Sequence, residues 1–453
     1  MNKIANRAWA ATFLAFTLFL GLCVIIVRYF RDSDEWYLHR TNAVVYTNGR
    51  LNSGRIFDRA GQLLLDATDG RTYPDDELLC KSTLHLLGDV QGNIPDYIFD
   101  YYSDELTAYD LFGGTQTNES VSVDLTVHAQ VQKAAQDALA GRKGSIGVYN
   151  YQTGEIICMV SGPTFDPRNP SEVDDSGAYD GVYVNRFLHS SYTPGSIFKL
   201  VTSAAAIGQL DDLDSKVFNC TGSWTVNHEV INCNSVHGEI NYDTALAKSC
   251  NIAFAQLAVE LGPEILLQYA QDAGIEQQLY FDGFRTAAGN VDLENVPSNS
   301  LAWAGVGQST DQINPCQYMV YVGAIANGGV AAKPYVVSSI HCGEEETYHA
   351  ETTMCEPMLR EEVAARLEKA MHGAVVNTYG EHNFAGLYVG AKTGTAQRGG
   401  DLASNSLFVG YVKNEAMPLA FIVIVEDGGS GSRTCVPIIR QVLNACVTAL
   451  GTE

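Results

Sequence analysis

The chain has 453 residues, 46% of them hydrophobic and 18% charged, a balance that supports a large buried core and excludes wholesale disorder. Its 28 Lys+Arg against 52 Asp+Glu give a net charge of −24, which argues against DNA or RNA as partners. The acids fall in short clusters, such as Asp32–Glu35 and Glu344–Glu346, the pattern of a solvated surface.

The first element is apolar. Ala8 to Val27 runs for twenty residues without a charge, and a helix of that length crosses a bilayer core of roughly 30 Å. A secretory leader would be shorter and would end at a small-residue cleavage site. Arg28, Tyr29, Phe30 and Arg31 follow instead, so residues 1–31 read as a short tail and an uncleaved membrane anchor. Lys3 and Arg7 on one side nearly balance Arg28 and Arg31 on the other, so charge does not set the orientation.

Ser53–Ala67 has the pattern of a hairpin turning at Asp58–Gly61. Val127, Val131, Ala134, Ala135 and Leu139 follow helical spacing. A second hairpin spans 145–161 around the turn Gln152–Gly154. The polar stretch 162–190 reads as a long loop covering something. Helices dominate from about 194 to 290. Segments 387–396, 407–413 and 418–426 are strand-like, and 436–450 is helical. Strands at both ends of a segment with helices between them predict an α+β fold: one antiparallel sheet with an inserted helical lobe. The eleven cysteines contain no CxxC pair, and no metal-ligand spacing or HExxH array is present. Cys220 with Cys233, and Cys342 with Cys355, could each close a short loop as a disulfide or remain thiols.

Three short motifs carry chemistry. In "SYTPGSIFKL", Thr193 suits an N-cap and Pro194 a first helical position, placing Ser196 in the first turn of a helix. Lys199 lies on the same face. A serine needs a neighbouring base to become a nucleophile, and a buried lysine can be that base. The second motif, Ser249-Cys250-Asn251, breaks two helical patterns, where Ser249 or Asn251 could equally be a simple cap. In the third, Lys392-Thr393-Gly394 with Thr395, the lysine can hold a carboxylate, and an open strand edge can pair with an extended peptide. Each motif alone is weak. Together, and in this order, SxxK, SxN and KTG form the signature of penicillin-binding proteins and class A β-lactamases.

The chain resembles the class B, monofunctional penicillin-binding transpeptidases. "GRIFDRAGQLLL" resembles their N-terminal RGxIxDRxGxxLA segment, and "VHGEINYDTALAKSCNIAFAQLAVELG" their HG…AL…SCN stretch, which makes Cys250 ordinary. "WAGVGQSTDQINPCQYMVYVGAIANGG" looks like their GQG…AIANGG segment, with Val306-Gly307-Gln308 in the corresponding place.

The resemblance implies a transpeptidase domain at 141–453, with a five-stranded antiparallel sheet and flanking helices. A small α/β pedestal at 32–140, short for the class, would precede it. It implies a peptidoglycan D,D-transpeptidase, acylated at D-Ala-D-Ala or by β-lactams. Ser196 would be the nucleophile and Lys199 its base. Ser249 would relay a proton, and Asn251 would orient Lys199 and substrate. Lys392, Thr393 and Gly394 would bind the carboxylate, and the N–H groups of Ser196 and Thr395 the oxyanion. No metal or organic cofactor is implied. The catalytic domain would lie on the extracytoplasmic side of a bacterial membrane, with a SEDS-family glycosyltransferase as partner. Two rivals share the motifs. A catalytically silent wall scaffold conflicts with the intact triplet. A β-lactamase needs an E-x-x-L-N glutamate, and Glu264–Gln268 only approaches that pattern, inside a helical segment.

Overall fold

The structure, a computed structural model, describes residues 2–37, 46–47, 50–107, 109–110, 114–115, 121–174, 177–384, 386–397 and 403–451. Helix α1 (Asn2–Tyr37) comes first. Its stretch Lys3–Arg31 is long and apolar enough to cross a membrane, and Phe13, Leu20 and Ile25 on it are exposed.

The chain next forms β1 (Gly54–Phe57), β2 (Leu63–Ala67), α2 (Glu77–Leu87) and β3 (Val121–Leu125). Then come α3 (Ala129–Leu139), β4 (Gly144–Asn150) and β5 (Ile156–Gly162). Helix α4 (Lys199–Gln209) precedes four short strands, β6 (Phe218–Cys220), β7 (Ser223–Val226), β8 (Glu229–Asn232) and β9 (Gly238–Ile240). Three helices follow: α5 (Tyr242–Ala247), α6 (Asn251–Leu261) and α7 (Pro263–Asp272). After β10 (Val337–Cys342), β11 (Glu345–His349) and α8 (Glu361–Ala374), strands β12 (Val389–Ala396), β13 (Asn405–Val412) and β14 (Leu419–Val425) lead into α9 (Gly431–Leu450).

The larger sheet has the order β12-β13-β14-β4-β5, antiparallel throughout. The late strands and the early hairpin thus meet, Val423 opposite Ile146, as the strand pattern predicts. Every residue of β13 and β14 is buried. Helices cover both faces, which is why "LAFIVIV" is a continuous apolar run rather than an alternating one. On one face Val131 and Leu139 of α3 pack with Ile439 and Leu443 of α9 and with Phe408 and Phe421.

The smaller sheet has the order β11-β10-β3-β1-β2. The hairpin expected at Ser53–Ala67 forms its edge, and Ile56 pairs in parallel with Val123. Two of its strands come from far downstream, with Ile340 opposite Val123. The region 32–140 therefore shares its sheet with residues 337–349, and α3, inside that region by sequence, packs in the core of the larger sheet. Asp282 ties the pieces together. It accepts from Tyr102 Oη at 2.6 Å and from the Val336 and Val337 N–H groups at 2.6 and 3.1 Å.

Helices dominate 194–290 as expected, and β6–β9 fold back within it as two small antiparallel pairs. Of the two readings left open for each cysteine pair, the thiols hold: Cys220, Cys233, Cys342 and Cys355 are all free. The polar stretch 162–190 covers α2, with Phe165 and Val182 packed on Leu84 and with His85 Nε2 2.7 Å from the Val182 carbonyl.

Candidate active site

Ser196 lies in a short 3-10 turn, Gly195–Ile197, and α4 begins only at Lys199. Thr193 is not the cap the sequence suggests. Pro194 precedes the turn, and Gly195 takes φ +53, which interrupts the helical path. Glycine is required there, because a Cβ would sit 2.6 Å from the Thr395 carbonyl oxygen. The Gly195 N–H donates to the Gly307 carbonyl at 2.8 Å. Gly307 is itself at φ +80, with space for no Cβ beside Gly195. The Val306-Gly307-Gln308 segment is thus the seat on which the serine turn rests.

Lys199 is fully buried. Its Nζ lies 3.1 Å from Ser196 Oγ, 3.1 Å from Ser249 Oγ, 2.8 Å from the Ser249 carbonyl and 2.8 Å from Asn251 Oδ1. As a neutral amine it can give its two N–H groups to the Ser249 carbonyl and to Asn251 Oδ1 and turn its lone pair toward a serine hydroxyl. Burial pushes Lys199 down to about 7, so the neutral form is accessible near neutrality.

Ser249 has φ +54 and makes the break between α5 and α6. Asn251 opens α6, where the N-cap residue Cys250 makes no side-chain cap bond. The side chain of Asn251 is held at both ends: Oδ1 by Lys199, and Nδ2 donating to the Asn232 carbonyl at 2.9 Å. Lys392 is buried on edge strand β12. It donates to Ser249 Oγ and to the Thr393 carbonyl, both at 2.9 Å. Burial, and then the charge of Lys199, lower it well below the ordinary lysine range.

All three motifs therefore meet at one point, with Ser249 Oγ shared by both lysines. Thr393 and the exposed Thr395 lie along the strand edge beside them. Two contributors have no motif in the sequence. Tyr379 ends a π-turn, Val375–Tyr379, and its hydroxyl accepts from the Thr393 N–H at 3.1 Å and bonds Thr393 Oγ1 at 3.1 Å. Gly431, at the start of α9, donates its N–H to Thr395 Oγ1 at 3.3 Å, and a Cβ there would meet the Gly394 carbonyl at 2.2 Å. The "GSGS" that ends at Ser432 was the one available signal for the second.

Behind Asn251, the side chains of Cys220, Cys233, His237 and Cys250 converge, one donor atom from each lying within 4.8 Å of the others. The sequence pattern did not suggest a metal site, because these four come from separate strands and turns at irregular spacing.

A serine with a lysine instead of a histidine beside it places the molecule among the Ser–Lys acyltransferases. Comparison with known proteins narrows this. The model of the penicillin binding protein transpeptidase domain matches residues 144–444, and the chain belongs to that family, in its class B branch. It is 28% identical over 357 residues to the peptidoglycan D,D-transpeptidase PbpA of Mycolicibacterium smegmatis, covering 72% of each chain. It is 29% identical over 423 residues to the stage V sporulation protein D of Bacillus subtilis, covering 87% of this chain and 62% of that one. The D,D-transpeptidase domain of a peptidoglycan glycosyltransferase from Eggerthella lenta superposes with a TM-score of 0.76 at 28% identity, over 88% of this chain and 99% of that one. The ceftriaxone acyl-enzyme of penicillin-binding protein A from M. tuberculosis shares the fold at a TM-score of 0.76 and 24% identity, over 87% of this chain and 98% of that one.

Proposed function

We propose that the chain is a peptidoglycan D,D-transpeptidase that cross-links stem peptides through an acyl-enzyme on Ser196. The observation that carries this reading is Lys199 Nζ, buried and within 3.1 Å of both Ser196 Oγ and Ser249 Oγ. Neutral Lys199 takes the Ser196 proton as Oγ attacks the penultimate D-Ala carbonyl. The N–H groups of Ser196 and Thr395 receive the developing oxyanion. The Ser249 hydroxyl gives its proton to the departing D-Ala amine and recovers one from the lysines. The amine of a second stem peptide then attacks the ester and regenerates Ser196. Asn251 orients Lys199. Lys392 supplies positive charge near the substrate carboxylate, which the Thr393 and Thr395 hydroxyls bind beside Gly394. A β-lactam enters by the same route and stops at the ester.

Helix α1 anchors the chain in a membrane, with the catalytic domain on the extracytoplasmic side where stem peptides lie. A membrane glycosyltransferase of the SEDS family is the partner this reading favours. Hydrolysis is disfavoured: among the described residues, no carboxylate bonds Ser196, Lys199, Ser249 or Lys392, and Glu264 lies on α7. Labelling with a fluorescent penicillin tests the reading. The wild type should form a stable adduct and Ser196→Ala none. Equal labelling of both would sink the mechanism, and rapid release would favour a β-lactamase.

A further inference from the structure

The hairpin that carries Asn232 has little of its own to hold it. Strands β7 and β8 form a two-stranded pair in which only Ile231 is buried. Such a pair is marginal in water. Yet it holds the Asn232 carbonyl against Asn251, and Asn251 in turn holds Lys199.

Four side chains converge at the base of this hairpin. Cys220 ends β6, Cys233 follows β8, His237 precedes β9, and Cys250 leads into α6. Cys233 Sγ lies 3.9 Å from Cys250 Sγ and 3.6 Å from His237 Nδ1. In a zinc tetrahedron, bonds of about 2.3 Å to sulfur and about 2.05 Å to nitrogen put neighbouring ligands about 3.8 Å (S···S) and about 3.6 Å (S···N) apart. The two Cys233 separations match those edges, and all four donor atoms lie within 4.8 Å of one another. A disulfide needs about 2.05 Å between sulfurs, far less than the 3.9 Å found. Cys220 and Cys250 are buried, whereas Cys233 and His237 are half-exposed and leave a path for an ion from solvent.

We propose that Cys220, Cys233, His237 and Cys250 bind one zinc ion as a clamp behind the Ser249–Asn251 turn. Three thiolates and an imidazole complete a closed, structural coordination sphere with no position left for substrate. The ion acts through position. It fixes Cys250, in the middle of the SxN motif, and Cys233, the residue after Asn232. The Asn251 N–H, 3.3 Å from Cys233 Sγ, serves as an outer-shell donor to the coordinated sulfur. Removing the ion frees both segments that hold Asn251, and so loosens Lys199.

The test starts from the full-length wild-type chain in detergent and reads metal content by mass spectrometry, a measurement that does not depend on acyl transfer. The expected result is about one zinc per chain, falling at least about tenfold in Cys233→Ser and in His237→Ala. Cobalt(II) added to chelated protein should give a thiolate charge-transfer absorption that Cys233→Ser lacks. Chelation should slow labelling by fluorescent penicillin at least about tenfold, and zinc alone should restore it. Wild-type protein that holds no zinc after incubation with the ion, or holds it equally well in both variants, overturns the site. A disulfide among Cys220, Cys233 and Cys250 in protein purified with zinc overturns it as well. Bound zinc whose removal leaves labelling unchanged overturns the clamp.

Discussion

Lys199 and Lys392 meet at a single oxygen: their Nζ atoms lie 3.1 and 2.9 Å from Ser249 Oγ. Two buried ammonium groups cannot share one hydroxyl cheaply, and burial lowers both lysines. The pair is therefore set to carry fewer than two protons, which leaves room for the Ser196 proton to arrive.

The pH dependence of acylation follows from Lys199, held at about 7. Below that pH the amine is protonated and cannot act as base. Above it, the amine is neutral. The second-order rate of penicillin acylation should rise about tenfold per pH unit on the acid side of 7 and flatten above it. Lys199→Arg should be slow throughout and lose that limb, because guanidinium keeps its proton. Stopped-flow labelling from pH 5 to 9 checks both. A flat wild-type profile would remove Lys199 as the base.

Tyr379→Phe should weaken acylation without unfolding the chain. The change removes the acceptor of the Thr393 N–H and the partner of its hydroxyl. We expect about a tenfold loss in kcat/KM, carried by KM for carboxylate-bearing substrates. A thermal melt on the same samples separates this from general destabilisation. Loss confined to kcat would count against a role at the carboxylate.

Gly307→Ala should displace the serine turn. Its backbone is at φ +80, and a new methyl would press on the Gly195 carbonyl. Strain of about 1–3 kcal/mol is expected. A shift of about 1 Å at Ser196 would cost about a hundredfold in acylation. Labelling rate against melting temperature reads the two effects apart.

Arg186→Met should destabilise the fold near the strand that ends at Val425. Arg186 Nε pairs with Glu426 Oε1 at 2.9 Å, and Tyr192 Oη donates to the same oxygen at 3.0 Å. Both ionic side chains are largely buried. Removing one partner of such a pair costs about 3–5 kcal/mol, measurable by denaturant titration. Tyr192 lies four residues before Ser196, so labelling should slow as well.

The sheet and the three motifs were legible because both are written locally: apolar runs for strands, short polar signatures for the site. Ser196, Lys199, Ser249, Asn251 and Lys392 come together as the motifs imply. What the sequence obscured depends on distant pairing. The sequence pattern puts Ser196 in the first turn of a helix because the αL turn at Gly195 is imposed by Thr395 and Gly307, both far away in the chain. Tyr379 touches Thr393 only because a π-turn swings it there. Cys220 and Cys233 read as a loop closure or as thiols, and Cys250 only as part of the SxN motif, because nothing local brings β6, β8 and α6 to one point. The small strands β6–β9 were missed because each is three or four residues long.

The strands at 337–349 lie in the same sheet as those at 54–67 and 121–125. The two halves of the molecule are thus laced rather than strung. A gene fragment starting at residue 141 would leave β10 without its neighbour β3 and expose an unpaired edge. It would also strip α3 from the face shared with α9. Secreted versions for inhibitor screening should begin near residue 50, and grafts between relatives should exchange 54–125 together with 337–349.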